Sequence, residues 1–148
     1  YQGPYLRDTL MSMGAMVETL ETSHTWTELV GLHAAIGGAI RNSLAGQGTP
    51  GLVFCHLSHA YADGASLYFT FISRSREGAE VDQWCQIKRA ACEAIVAGGG
   101  TITHHHAVGR DHAPYMEAEV GRTGLDVLRA VKQQLDPAGI MNPGKLLV

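Results

Sequence analysis

Apolar and polar residues alternate most regularly from Ser66 to Ser73, which predicts a strand. A period of two places Leu67, Phe69 and Phe71 on one face of a sheet and Tyr68 on the other. The sequence predicts three further strands, which cover Ala15 to Thr22, Leu52 to Ala60 and Thr101 to His104.

Apolar residues recur at helical spacing in two other stretches, Trp26 to Ile40 and about Glu80 to Ala97, which predicts two long helices. Ser23 is the expected N-cap of the first helix. Shorter helices are expected from Tyr5 to Met13 and between Pro114 and Leu135. The packed stripe of the second long helix is expected to consist of Val81, Trp84, Cys85, Lys88, Ala91, Cys92 and Ile95.

The predicted order of elements is β-α-β-β-α-β followed by helices. This order is typical of an α+β, ferredoxin-like fold, in which two helices cover one face of an antiparallel sheet. The opposite face is left free for a ligand or another domain. We expect residues 1–111 to form this domain and residues 112–148 to form a C-terminal helical segment.

Composition narrows the class of protein. With 148 residues and 45% apolar residues, the chain can build one ordinary hydrophobic core. A net charge of −3 provides no basic field, so we expect no nucleic-acid partner. The three cysteines form no CxxC pair, which favours free thiols in a reducing compartment and a cytoplasmic protein.

Three successive histidines, His104, His105 and His106, stand in the stretch GGGTITHHHAVGR. Their spacing leaves three interpretations open. The first is a solvated loop. The second is a metal site completed by other histidines, and the third is a metal-free site for acid–base chemistry or anion binding. The histidines that could complete a metal site are His56, His59 and His112.

Three other residues could carry chemistry. Tyr68 either packs with its hydroxyl at the rim of the sheet or acts as a general acid or base beside a cation. Arg7 is either an exposed charge or a bidentate ligand for an anionic substrate. Asn142 lies in the stretch NPGK, whose composition is typical of a turn.

Five stretches along the chain resemble, in order and spacing, the C-terminal part of the FAD-linked oxidase family, which includes vanillyl-alcohol oxidase and D-lactate dehydrogenases. The three-histidine run, together with ETS-x-x-W and LYF, is similar to the alkyldihydroxyacetonephosphate synthase branch, the enzymes that form the ether bond of ether lipids. The five stretches are YLRD (Tyr5 to Asp8), ETLETSHTW (Glu18 to Trp26), DGASLYFTF (Asp63 to Phe71), THHHAVGRD (Thr103 to Asp111) and LDPAGIMNPGKLL (Leu135 to Leu147).

The resemblance implies that FAD is held mainly by an N-terminal domain outside these 148 residues. Residues 1–111 would then form a substrate-binding cap, and residues 112–148 would pack on the FAD domain. By position in the matching motifs, Tyr68 is implied as the catalytic acid or base and Arg7 as a ligand for the phosphate end of the substrate. His104, His105 and His106 are implied as active-site residues without a metal, and His105 and Asn142 as contacts to FAD.

The function implied by the resemblance is ether-bond formation on an acyl-dihydroxyacetone phosphate. A second reading is oxidation of a 2-hydroxy acid or an alcohol by an enzyme of the same family. A third is a stand-alone, histidine-rich, ferredoxin-like module that binds a metal or another ligand. The expected partners are a phosphate-bearing lipid precursor or a hydroxy acid, the FAD domain and a second copy in a homodimer. A lipid precursor makes a membrane-peripheral location an alternative to the open cytoplasm.

Overall fold

The computed structural model describes residues 3–147 and contains helices and strands in the order α-β-α-β-β-α-α. The α+β class predicted from the sequence is confirmed, and the predicted bounds of the second strand and the third helix are correct. No helix within the described range is long and apolar enough to cross a bilayer. The elements are α1 (Gly3–Ser12), β1 (Ala15–Thr25), α2 (Trp26–Gly46), β2 (Leu52–Ala60), β3 (Gly64–Arg74), α3 (Glu80–Ala97) and α4 (Met116–Leu135), with a 3-10 turn at Ala113–Tyr115.

The sheet is antiparallel, and its strands lie in the order β1-β3-β2. On one face, Leu20 of β1 lies opposite Phe69 of β3, which lies opposite Cys55 of β2. Phe69 and Phe71 are fully buried in the core that the sheet forms with α2 and α3. The predicted alternation along β3 is therefore confirmed, and the opposite face of the sheet is left for other contacts.

The fourth predicted strand, Thr101 to His104, is wrong, because the sheet built from residues 3–147 has three strands. The segment does run beside β1, where the Thr101 amide donates to the Ser23 carbonyl at 3.2 Å. The Thr101 carbonyl, however, accepts a hydrogen bond from the hydroxyl of Thr22 at 2.6 Å. The described backbone pairing of this segment with β1 therefore consists of one hydrogen bond, supplemented by one from a side chain.

The start of α2 also differs from the prediction, in which Ser23 was the N-cap. Strand β1 continues to Thr25, and α2 begins at Trp26. The first turn is held instead by the chain that precedes β3. The Trp26 amide donates to the Asp63 carbonyl at 3.1 Å, and its indole nitrogen donates to the Tyr61 carbonyl at 3.2 Å.

The packed stripe of α3 is confirmed at Lys88, Ala91, Cys92 and Ile95, but the first turns of the helix differ from the prediction. Val81 and Cys85 are exposed, whereas Gln83 and Ile87 are fully buried. Gln83 can be buried because its amide is satisfied: it donates to the Arg74 carbonyl at 3.0 Å and to a threonine hydroxyl at 2.9 Å. A polar side chain thus fixes the rotation of the helix against the end of β3.

The triple glycine after α3 allows close packing in addition to ending the helix. A Cβ on Gly98 would lie 2.6 Å from Leu32 of α2, and one on Gly100 would lie 2.8 Å from both Leu32 and Thr22. Gly99 has a φ of +71°, in the left-handed region that favours glycine. These glycines let the chain pass between α2 and β1 on its way to the three histidines.

Lys88 of α3 connects this helix to the segment that follows the histidines. Its ammonium lies 3.4 Å from a carboxylate oxygen of Asp111, which lies 3.4 Å from Nε2 of His112. Burial lowers the pKa of His112, and Lys88 adds to this effect, so that together they outweigh Asp111. Burial works to raise the pKa of Asp111, but the charges of His112 and Lys88 outweigh it and keep the pKa below its usual value.

We expect Gly100→Ala to destabilise the chain by about 1–3 kcal/mol, because the added methyl overpacks the contact with Leu32 and Thr22. The matched control is Gly31→Ala in α2, where a Cβ would meet no atom of the described residues within 4 Å. This control should stabilise the chain by roughly 0.5–1 kcal/mol, because alanine favours the helix. Urea unfolding of both variants measures the difference, and equal stabilities would contradict the close-packing role.

We expect the free energy of unfolding to fall in two stages as the pH is lowered. Because the pKa of His112 is lowered by folding, its contribution is present above the unfolded value of about 6.5 and is lost as the pH falls below it. The pKa of Asp111 is also lowered by folding, so its contribution is lost as the pH falls from about 4 through the folded value. Urea unfolding between pH 8 and pH 3 measures both stages. The first stage should be shallower in His112→Gln, and an unchanged slope would refute its assignment.

Candidate active site on the open face of the sheet

Strand register places Tyr68 in the middle of the open face. Glu21 of β1 lies directly opposite Tyr68 of β3, which lies opposite His56 of β2, so all three side chains leave the sheet on the same side. The Tyr68 ring stacks on His56 with ring centres 5.1 Å apart. Its other neighbour is His106, which it meets edge to face at 5.4 Å. Tyr68 therefore points towards the histidine loop, as its position in the strand predicted.

The centre of the cluster is the carboxylate of Glu21, which is only 4% exposed. One oxygen, Oε1, accepts a hydrogen bond from the Ser58 hydroxyl and lies 3.4 Å from Nδ1 of His104. Nδ1 of His59 lies 3.5 Å from the same oxygen. The second oxygen, Oε2, lies 3.3 Å from Nε2 of His106. Three histidine rings thus surround one buried carboxylate.

The hydrogen bonds around Glu21 determine its charge. Burial works to raise its pKa, but hydrogen bonds from Ser58, Ser66 and His104 outweigh this effect and hold the pKa below its usual value. The two serine hydroxyls lie 2.6 Å apart, and Ser66 is fully buried. The carboxylate is therefore ionised at neutral pH, beneath a layer of imidazole rings.

The chain folds back on itself within the histidine run. The His106 amide donates to the His104 carbonyl at 2.8 Å, and His105 has a φ of 58°. This tight turn lets His104 and His106 both reach Glu21, while the His105 ring packs on His59 with ring centres 4.7 Å apart. Ala107 also has a positive φ, 61°, so the loop turns twice in succession.

Three histidines could also present nitrogens to a metal ion. Ring nitrogens of His59, His104 and His105 lie within 4.8 Å of one another, which is the one such group found among residues 3–147. Both nitrogens of His104 already have protein partners, because Nδ1 faces Glu21 and Nε2 lies 3.2 Å from the Tyr61 hydroxyl. An ion bound by His104 would therefore have to displace either Glu21 or Tyr61. That the loop works without a metal stays a prediction.

Arg7 lies on the other side of the sheet. Its guanidinium is 3.8 Å from a carboxylate oxygen of Glu18, which also accepts a hydrogen bond from the indole of Trp84 on α3. Glu18 and Glu21 are three residues apart on β1 and therefore point to opposite faces. The chain by itself does not bring Arg7 to the histidines, and its role in substrate binding stays a prediction.

Asn142 lies in the C-terminal tail, where it forms a turn. It has a φ of 47°, and its carbonyl accepts a hydrogen bond from the Lys145 amide at 3.2 Å. The next residue of the tail, Leu146, donates its amide to the Val108 carbonyl at 3.2 Å. The tail is therefore hydrogen-bonded to the chain two residues after His106. Neither hydrogen bond brings Asn142 itself to the histidines around Glu21.

Glu21 is the residue of this site that sequence reasoning missed. It lies within the stretch ETLETSHTW, but its own role could be inferred only once β1 was aligned with β3. The one signal available beforehand is its phase, since Val17, Thr19 and Glu21 share a face of the predicted strand. A carboxylate at that position faces the same side as Tyr68 only in the observed register.

Comparison with known proteins places the chain in a family. Residues 1–146 match the family described as FAD linked oxidases, C-terminal domain. The alkyldihydroxyacetonephosphate synthase of Trypanosoma brucei brucei is 35% identical over 147 residues, which cover 99% of this chain and 24% of that protein. The glycolate oxidase subunit GlcD of Bacillus subtilis (strain 168) is 37% identical over 92 residues, which cover 62% of this chain and 19% of that protein.

A solved structure of alkyldihydroxyacetonephosphate synthase superposes with a TM-score of 0.69 and 28% identity, covering 99% of this chain and 24% of that one. The chain therefore spans about a quarter of the length of the synthases it matches. The similarity of fold, the match over nearly all residues and the identity to a full-length relative agree with one another. The chain belongs to the FAD-linked oxidase family, of which it is a C-terminal domain.

Proposed function

We propose that this chain is the substrate-binding and catalytic cap of an FAD-dependent enzyme that forms an ether bond on an acyl-dihydroxyacetone phosphate. The observation that carries the proposal is the cluster of Tyr68, His104 and His106 around the buried carboxylate of Glu21. Such a cluster offers fixed proton donors and acceptors on an open surface. The similarity to the trypanosomal synthase over 99% of the chain supports the same reaction.

The open face fits the ring end of FAD better than its phosphates. The rings of Tyr68, His56 and His106 lie next to one another on this face and can pack against another ring system. The glycine clusters at Gly46–Gly51 and Gly98–Gly100 both follow helices, which is the reverse of the order in a phosphate-binding loop. When bound, the flavin would supply an electron-accepting ring next to the substrate.

This fit implies that two domains share the binding of FAD. An N-terminal domain would hold the FAD phosphates, and this chain would cover the flavin ring. His105, which faces outward from the turn, and Asn142 are the residues of this chain that we assign to flavin contact. Their exposure leaves them free to meet a ligand or another domain.

Tyr68 is the group that we assign to proton transfer. A substrate with a carbonyl group can lose a proton from the neighbouring carbon only to a positioned base. The Tyr68 ring lies in the middle of the open face, between the rings of His56 and His106. We assign Arg7 to the phosphate end of the substrate from the resemblance and from the match of a guanidinium to a phosphate through two parallel hydrogen bonds. In this chain Arg7 lies beside Glu18 on the other side of the sheet, so this assignment requires α1 to take another position in the full-length enzyme.

Residues 112–148 fit the role of a docking segment for the FAD domain. The first turn of α4 is fixed to the body through Glu119, whose carboxylate accepts from the Ile102 amide at 2.8 Å. Beyond this anchor, α4 exposes large apolar side chains, a pattern that favours burial against a partner. The exposed apolar residues are Val120, Val127, Val131 and Leu135. In the absence of the FAD domain, the same surface could pair two copies of the chain.

Three free cysteines support a reducing compartment, and we propose a cytoplasmic enzyme. Burial raises the pKa of Cys55 and Cys92 to about 11, so both remain thiols at neutral pH. A lipid precursor as substrate would bring the enzyme to a membrane surface without a spanning helix.

A second candidate is the oxidation of a 2-hydroxy acid or an alcohol, favoured by the similarity to the glycolate oxidase subunit. The same tyrosine and histidines could accept the proton of a hydroxyl group. Anaerobic flavin reduction by a panel of hydroxy acids would identify this reaction in the full-length enzyme. Exchange of a fatty alcohol into an acyl-dihydroxyacetone phosphate, without net flavin reduction, would identify the synthase reaction.

In the full-length enzyme, Tyr68→Phe should lower kcat by about 10²–10⁴-fold, because general acid–base catalysis contributes about that much. The flavin content should be unchanged, since the substitution removes one hydroxyl group and keeps the ring. Steady-state turnover and the flavin absorbance of the purified variant measure the two effects. Tyr115→Phe is the matched control, as Tyr115 is a half-buried tyrosine outside the cluster, and it should keep full turnover. Full activity in Tyr68→Phe would remove the residue from the mechanism.

The 148-residue chain alone should not bind FAD tightly or show activity. The physical reason is that it presents a face for the flavin ring but lacks the glycine-to-helix order that phosphates need. Titration of the purified chain with FAD, followed by flavin fluorescence, measures the affinity. Stoichiometric binding at micromolar concentration would show that the cofactor site has been assigned to the wrong domain.

A further inference from the structure

The two oxygens of Glu21 contact two histidines through different ring nitrogens. Oε1 lies 3.4 Å from Nδ1 of His104, and Oε2 lies 3.3 Å from Nε2 of His106. These histidines are two residues apart, and the tight turn at His105 brings both to one carboxylate. Glu21 therefore has two arms, which we define as Oε1 with His104 and Oε2 with His106.

An ionised carboxylate can only accept hydrogen bonds. The hydrogen bond with Oε1 therefore requires a proton on Nδ1 of His104. Nε2 of His106 lies at ion-pair distance from Oε2, and the negative charge favours the proton on the ring nitrogen nearest to it. In neutral rings the other nitrogen is left as an acceptor. For His104 that nitrogen is Nε2, which lies 3.2 Å from the hydroxyl of Tyr61. Tyr61 can therefore donate its proton to this arm.

The second arm leads to Tyr68. The ring of His106 meets the ring of Tyr68 edge to face at 5.4 Å, so the orientation of one ring constrains the other. If the His106 ring rotated, it would lose its 3.3 Å contact with Glu21 and would also change the surroundings of Tyr68. Glu21 therefore contacts the histidine next to each of two tyrosines: His104 beside Tyr61 and His106 beside Tyr68.

Glu21 itself is not placed to touch a substrate. It is 4% exposed, whereas the side chain of His106 above it is 34% exposed. Ser58 and Ser66 hold the carboxylate from the side of the sheet and fix its rotation. Any effect of Glu21 on a reaction must therefore pass through the histidines.

We propose that Glu21 is the positioning residue of this site, and that it fixes His104 as the Nδ1–H tautomer and His106 as the Nε2–H tautomer. In the neutral rings, Nε2 of His104 then accepts from the Tyr61 hydroxyl, and Nδ1 of His106 is left as an acceptor. The catalytic consequence rests on the proposed function, whereas the tautomers are a property of the chain and do not depend on the reaction.

The tautomers can be measured in the 148-residue chain by ¹⁵N NMR of histidine-labelled protein at a pH where the rings are neutral. Single His104→Asn and His106→Asn variants assign the signals. The expected result is a protonated Nδ1 in His104 and a protonated Nε2 in His106. The same tautomer in both residues of the unsubstituted chain would overturn the proposal, and this measurement needs no variant at Glu21.

Glu21→Gln then tests the cause. Glutamine keeps the shape but has one acceptor oxygen and one amide donor, so only one histidine can keep its bond. At least one of the two tautomers should change, whereas Glu28→Gln, an exposed glutamate of α2, should change neither. Unchanged tautomers in Glu21→Gln would refute Glu21 as their cause. If this variant does not fold, Ser58→Ala keeps the charge, removes one bond that orients it, and should broaden or shift the same two signals.

In the full-length enzyme, Glu21→Gln should lower kcat by about 10–100-fold, the usual effect of losing a partner that orients a functional histidine, with a smaller change in KM and unchanged flavin content. Tyr68→Phe separates the two proposals. Retained turnover in Tyr68→Phe would remove the proposed function and leave the tautomer result standing. Lost turnover in Tyr68→Phe with full turnover and unchanged tautomers in Glu21→Gln would remove the positioning role alone.

Discussion

A carboxylate removed from water keeps its charge only if hydrogen-bond donors replace the water around it. Glu21 meets this condition with two serine hydroxyls from the sheet and three imidazoles above it. The same contacts that keep the carboxylate ionised also hold the rings, so the arrangement of the site follows from the solvation of one side chain. The histidines contribute to the stability of the cluster and to its chemistry at the same time.

The sheet provides the geometry for this cluster because its two faces are used differently. On one face, Phe69 and Phe71 fill the core with α2 and α3, while on the other face Tyr68 lies between the side chains of two neighbouring strands. The chain then crosses the edge of β1 through three glycines and returns to the open face. Rigid packing on the closed side therefore positions a polar surface on the open side, and a flexible loop is not needed to assemble it.

Periodicity alone predicted most of the fold, because burial on one face leaves a clear pattern in sequence. The bounds of β2 and α3, and the outward direction of Tyr68, depend on such patterns. The prediction of the fourth strand was wrong: the segment is held to β1 by one backbone bond and by the Thr22 hydroxyl, and propensity contains no information on such contacts. The packed face of α3 was predicted correctly from Lys88 onwards but not in its first turns, since Gln83 looks like a surface residue until its partners are known. Glu21 was missed because its environment is made by distant residues: Ser58 lies 37 positions away in the chain, His104 lies 83 positions away, and His106 lies further still.

The backbone of the histidine loop also restricts how this region can change during evolution. Ala107 has a φ of 61°, a conformation that glycine adopts freely, asparagine tolerates and a branched side chain strongly disfavours. The conformation of the backbone therefore restricts which residues position 107 accepts. His105 has a φ of 58° and is under the same restriction. His104 and His106, the two histidines of the run that contact Glu21, are not, so the chemistry of this loop can vary at these two positions while the turn restricts the other two.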